Sequence, residues 1–181
     1  SQNRILWYYV FMPRKPRSDI GGYVQHVINR ANERAKIFHT EKDYQEFEDL
    51  LVEACERSNM RLIAYTLMPN HWHLVFYPEN DGDVGRMMHW LTTTHSARVR
   101  VRTESIGNGH VYQGRYKSFL VETDNYLLAL VKYVERNPVR AKLVRHAEDW
   151  KWGSAHRRVF GTKKTRSLLT SSPTPLPHQY L

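Results

Sequence analysis

Between residues 23 and 136 the apolar positions fall into segments whose spacing switches between period two and period 3.6. Tyr23 to Asn29 is β-rich and partly alternating, which predicts a first strand. Thr40 then offers an N-cap and Asp43 a capping-box carboxylate three residues later. Tyr44, Phe47, Leu51 and Ala54 follow at helical spacing, so an amphipathic helix should run to Ser58 and Asn59. Two short apolar runs, Leu62 to Leu67 and Leu74 to Tyr77, flank Met68-Pro69-Asn70-His71-Trp72-His73, and the turn residues Pro69 and Asn70 predict an antiparallel pair. Asp81-Gly82-Asp83 interrupts the chain. Val84, Met87, Met88, Leu91 and His95 then mark a second long helix, whose end is ambiguous because Arg98 to Arg102 alternates like a strand. Gly107-Asn108-Gly109 reads as a loop and Tyr112 to Val121 as a strand. Thr123 or Asp124 caps a third helix through Arg136; Pro138 limits it, and Val139 to Arg145 can resume it.

The order β, α, β, β, α, β, α predicts an α+β fold of the ferredoxin-like split βαβ type. Its antiparallel sheet should have four to five strands, with helices mainly on one face. Residues 1–19 read as an N-terminal arm, since Arg14 to Ile20 is basic and Pro-containing and leads into Gly21-Gly22. Residues 20–160 form the expected domain. Residues 161–181, rich in Ser, Thr and Pro, read as a flexible basic tail without a core of its own.

Composition narrows the class. The 181 residues are 41% hydrophobic and 25% charged, as in an ordinary globular protein. No apolar run reaches the roughly 18 residues of a spanning helix, so no membrane role is expected. Cys55 is the only cysteine, which excludes an intrachain disulfide and a thiolate metal cluster and suits a cytoplasmic setting. Charge points to a partner. Of the net +9, +8 lies in Lys132 to Arg166, where 11 basic residues face 3 acidic ones. Such asymmetry favours a polyanion, nucleic acid ahead of an anionic membrane surface, although a merely solvated basic surface has the same composition.

Two clusters carry candidate chemistry. In His71-Trp72-His73 strand alternation sends both imidazoles to one face and Trp72 to the other, which is a metal-ligand geometry; the plainer alternative is a turn cap and a surface histidine. On the third helix Leu127, Leu130, Val131 and Val134 form the core stripe. Tyr126, Tyr133 and Asn137 share a neighbouring stripe, with Tyr133 and Asn137 at i, i+4. A boundary core tyrosine and a helix-ending asparagine would show the same spacing. Arg115 and Lys117 alternate on the strand before this helix, where they could grip phosphates or simply face solvent. Tyr112, Tyr116 and Trp90 could stack on unpaired bases or fill the core.

Tyr65-Thr-Leu-Met-Pro-Asn-His-Trp-His-Leu-Val75, Gly109-His-Val-Tyr-Gln-Gly-Arg-Tyr-Lys-Ser118, Tyr126-Leu-Leu and Tyr133-Val-Glu-Arg-Asn-Pro-Val-Arg-Ala141 resemble the single-tyrosine HUH transposases, more narrowly the REP-associated tyrosine transposases. The likeness spans roughly residues 14 to 156. It implies a ferredoxin-like fold and a divalent cation, Mg²⁺ or Mn²⁺, held by His71, His73 and a helix residue, for which Asn137 is the candidate. It also implies Tyr133 as the nucleophile that attacks a DNA phosphodiester. Arg136 and Arg140, within the last of these stretches, join Arg115 and Lys117 as candidate DNA contacts. The implied partner is single-stranded or hairpin DNA, met by a monomer or homodimer in the cytoplasm at the nucleoid. A non-catalytic nucleic-acid-binding module of the same topology is the alternative, since it needs no tyrosine beside a metal.

Overall fold

The computed structural model describes residues 19–104, 109–122, 124–162, 166–173 and 175. The arm up to residue 18, Gly107, Asn108, Thr123, Lys163, Lys164 and most of the tail beyond residue 173 lie outside them. Four strands form one sheet: β1 (Val24–Arg30), β2 (Arg61–Met68), β3 (His71–Tyr77) and β4 (Lys117–Val121). Their spatial order is β2-β3-β1-β4 and every pairing is antiparallel, which is the split βαβ arrangement read from the sequence.

The first helix, α1 (Glu41–Ser58), starts where its cap residues place it. Thr40 and Asp43 form a reciprocal capping box, and Asn59 in the left-handed region ends the helix. The second, α2 (Asp83–Arg102), continues straight through the ambiguous basic segment. Its last arginine explains why: Arg102 reaches across to Asp43 and Glu46 of α1, at 3.3 and 2.7 Å. Asp43 in turn is pushed up by burial but held below the usual carboxylate range by the backbone N–H groups of His39 and Thr40 and by Arg102.

Both long helices pack on one face of the sheet, over Val27, Leu62, Tyr65, Leu67, Trp72, Leu74 and Phe76. The third helix, α3 (Asp124–Glu135), takes the opposite face, where Leu127, Leu130, Val131 and Val134 cover Val24, Ile63, Ala64, Val75 and Val121. The two long helices thus share one face, as expected, while α3 sits on the other, the side to which alternation sends His71 and His73. Beneath them Trp72 is fully buried. Its Nε1 donates to the Tyr112 hydroxyl at 3.1 Å, and that hydroxyl lies 2.7 Å from Nδ1 of His95 on α2.

Three sequence expectations change. The strand expected over Tyr112 to Val121 begins only at Lys117. Tyr112 makes a single bridge to Ala31, and Gly114, with no side chain to pack, is held through its carbonyl by Asn29 at 3.4 Å. The third helix ends at Glu135, and a short helix α4 (Asn137–Arg140) resumes at once, with Pro138 in its first turn, where a missing N–H costs nothing. A further helix, α5 (Ser154–Phe160), was not anticipated.

The chain around α5 seals the outer edge of β2. Leu67 N donates to Trp152 O at 2.9 Å, and Gly153 lies so close that an added Cβ would meet Thr66 Oγ1 at 2.8 Å, which only glycine avoids. Arg157 pairs with buried Glu48, whose carboxyl burial pushes up, while Arg158 pairs with Glu135 at 3.1 Å. The described part of the tail is docked rather than loose: Leu169 bridges Leu62 in parallel, and Thr170 N donates to Leu62 O at 2.8 Å. Among the described residues no helix is long and apolar enough to cross a membrane.

Candidate active site

The turn at Pro69-Asn70 delivers the chain into β3 with His71 and His73 side by side, ring centroids 5.1 Å apart. What each imidazole can do depends on which nitrogen carries the proton. Asn70 donates its amide nitrogen to the Arg34 carbonyl at 3.2 Å, so its Oδ1 is the end 2.7 Å from His71 Nδ1. His71 is therefore protonated on Nδ1, and its Nε2 keeps a free lone pair. His73 follows the same logic. Its Nε2 faces the Asn137 amide nitrogen at 3.4 Å and accepts from it, so the proton sits on Nδ1 and is donated to His26 Nε2, 2.9 Å away.

Burial keeps these rings neutral. It lowers the pKa of His26 to about 4. For His71 burial and then the neighbouring Arg30 charge lower it to about 4, and His73 falls to about 3 by burial, His26, His71 and Arg30 in turn. Two neutral imidazoles side by side on one face, with Nε2 of His71 left unprotonated and Nε2 of His73 turned to the Asn137 amide, are ligand types that suit a divalent transition-metal ion. Asn137 is placed to join them, because a half-turn of its amide brings Oδ1 to the point where Nδ2 now stands. Among the described residues no group of three or more His, Cys, Asp or Glu is arranged to hold a metal, so an ion bound here would need the Asn137 amide, water or phosphate oxygens beside the two imidazoles.

Tyr133 is 40% exposed, and its ring meets His73 edge-on with centroids 5.7 Å apart. The Arg140 guanidinium lies over the tyrosine ring, 5.0 Å from its centroid. Tyr133 and Asn137 both face His73, on either side of the break at Arg136, which hydrogen bonds from Arg136 N to Lys132 O and from Arg140 N to Arg136 O span. Between Tyr133 and Asn137, Glu135 is buried and accepts from Ser154 Oγ and Arg158 Nε, so α5 fixes the end of α3.

The candidate DNA contacts divide. Lys117 and Arg115 line a cleft of about 420 Å³ together with Arg30, Ile28 and Gly114, although Arg115 precedes the strand instead of lying on it. Arg140 sits against the Tyr133 ring and Arg136 is exposed. The basic block from Lys132 onward is not wholly available, because Lys151, Arg157 and Arg158 are paired with Glu41, Glu48 and Glu135. The aromatics suggested for stacking turn inward: Tyr112 and Tyr116 are buried in the core, and Trp90 lies under Arg57, 4.8 Å from its ring. Sequence reasoning missed His26, Asn70 as an orienting group, and Arg30. His26 had one available signal, its place on a predicted strand, but nothing local tells which strand it faces.

The protein belongs to the Transposase IS200-like family, whose pattern matches residues 21–137 and so takes in β1 through Asn137. Among named relatives, a Haemophilus influenzae chain provisionally called a REP-associated tyrosine transposase is 26% identical over 136 residues, which are 70% of this chain and 76% of that one. The REP-associated tyrosine transposase of Escherichia coli K12 is 22% identical over 140 residues, 77% of this chain and 79% of that one. The fold also matches a solved REP-associated tyrosine transposase bound to a REP hairpin, with a TM-score of 0.66, 20% identity, and coverage of 88% of this chain and 89% of that one.

Proposed function

We propose that this chain is a transposase that cuts and rejoins single-stranded or hairpin DNA through a covalent 5′-phosphotyrosine at Tyr133, with Mg²⁺ or Mn²⁺ held by His71, His73 and Asn137. The observation that carries this reading is Tyr133 set edge-on against His73 while His71 stands beside that ring and the Asn137 amide faces its Nε2. A bound divalent ion would polarise the scissile phosphate and offset charge in the transition state. Tyr133 Oη forms the new bond to phosphorus as the bond to the 3′ oxygen breaks. The phenolic proton leaves to solvent and the 3′ oxygen departs as a hydroxyl, so the phosphodiester energy is retained for rejoining. Arg140 and the cleft cations Arg30, Arg115 and Lys117 hold the flanking phosphates. Charge-assisted contacts of this kind position the strand without reading its sequence.

The test is incubation with end-labelled hairpin DNA bearing an unpaired flank, in Mn²⁺, followed by denaturing electrophoresis. A protein–DNA adduct that resists denaturant is expected with the flanked hairpin and not with a perfect duplex of equal length. Binding of hairpin and duplex alike, with no adduct from either, would instead identify a non-catalytic binding module.

His26 should matter without touching the metal, because it accepts the Nδ1 proton that fixes the His73 ring. His26→Ala is expected to weaken Mn²⁺ binding by about 10- to 100-fold, measured by calorimetry on the DNA-free protein. His26→Asn, which restores an acceptor, should recover part of that loss. Unchanged Mn²⁺ affinity in both variants would remove His26 from the site.

A further inference from the structure

We propose that Phe119 on β4 is a stacking platform for an unpaired nucleobase beside the cleaved phosphate. The inference rests on the reading of the site as one that cuts single-stranded DNA. Strand register shows which side chains share the open face. Arg30 lies opposite His71, and Ile28 opposite both His73 and Lys117, while His26 lies opposite Phe119. One end of this face is roofed by α3 over Val24, Val75 and Val121. The remainder carries His71, His73, His26, Ile28, Arg30, Lys117 and Phe119, none of them acidic; His73 is buried beneath Tyr133 and the others reach the surface in part or in full.

Across that remainder the rings form a row. His71 meets His73 at 5.1 Å and His73 stacks on His26 at 5.2 Å with planes 12° apart; His26 then leans on Phe119 at 6.0 Å. The row starts at the metal-ligand candidates and ends on a phenylalanine that is 50% exposed. A phenyl ring has no polar edge to keep in water, so its exposure costs free energy unless something apolar covers it. Every base has a flat π surface, and base–aromatic stacking beside phosphate-binding cations is how single strands are held without sequence reading. Lys117, two residues earlier on the same face, and Arg30 supply those cations. The occupant is thus a base flanking the scissile phosphate, led off the metal site across β1 toward β4.

The experiment uses the full chain carrying Tyr133→Phe, so that binding is read without cleavage, and flanked hairpins with 2-aminopurine placed at each unpaired position in turn. One position should be strongly quenched on binding. Phe119→Ala should abolish that quenching and weaken binding about tenfold, whereas Phe119→Trp should keep both. An abasic site at the same position should cost no further affinity in Phe119→Ala, because both changes remove one contact. Unchanged affinity and quenching in Phe119→Ala would overturn the inference. So would additive penalties, or a loss of self-association in sedimentation with DNA binding intact, which would make the face a contact between copies. If the unmutated chain forms the covalent adduct while Phe119→Ala, on the Tyr133→Phe chain, binds DNA normally, only this inference fails and the proposed function stands. Phe119 is exposed, so thermal melting of the variant should stay close to that of the parent and separate lost stacking from lost fold.

Discussion

Tyr133→Phe is expected to eliminate the covalent adduct, a fall of at least about a thousandfold in strand cleavage, while DNA affinity changes by no more than about twofold. The substitution removes one oxygen from a side chain whose ring already touches His73 and Arg140, and both ring contacts persist in phenylalanine. Nothing in the sheet or in the Glu135 anchor depends on the hydroxyl. The rival is Tyr126, which lies seven residues earlier, about 10 Å back along the helix axis. Denaturing electrophoresis of Tyr133→Phe and Tyr126→Phe side by side decides between them. An adduct that persists in the first and vanishes in the second would move the nucleophile.

His71→Ala and His73→Ala should each weaken Mn²⁺ binding by more than the 10- to 100-fold expected of an orienting partner, and each should suppress cleavage; EDTA should act on the unmutated protein as the substitutions do. The pH dependence adds a second signature. A metal ligand must be deprotonated, and a free imidazole loses its proton only near pH 6.5. Here burial lowers His71 to about 4 and His73 to about 3, so in the fold both rings are neutral well below that value. Mn²⁺ affinity should therefore stay level as pH falls from about 8 to about 5 and decline only below it. The unfolded chain takes up these protons at higher pH than the folded one, so stability itself should fall as pH drops below about 6.5. Cleavage undiminished in excess EDTA would reject the metal-dependent reading outright.

Much of this was local and hence legible. The capping box at Thr40 and Asp43, the turn at Pro69-Asn70 and the alternation of His71-Trp72-His73 are written in neighbouring residues, and each element stands within a few positions of its expected place. Tyr133 and Asn137 also reach the same histidine, His73, from the two sides of the break at Arg136. Residues that act through distant partners were not legible. His26 faces His73 only because β1 pairs with β3 in one register out of many, and a slip by one residue would turn it to the opposite face. Asn70 orients His71 only because Arg34 holds the other end of its amide. The docking of Leu169 and Thr170 on β2 likewise joins segments more than 100 residues apart, beyond what Ser- and Pro-rich composition reveals.

The residue between the two histidines has a consequence for anyone who would transplant this motif. Trp72 is tied through its indole N–H to the Tyr112 hydroxyl, and Tyr112 to His95. Replacing Trp72 by an aliphatic residue opens a void under the ligand strand and takes a hydrogen-bond donor from a fully enclosed phenol. The three side chains form one unit of exchange: a smaller centre fits this scaffold only when the positions of Tyr112 and His95 are rewritten with it.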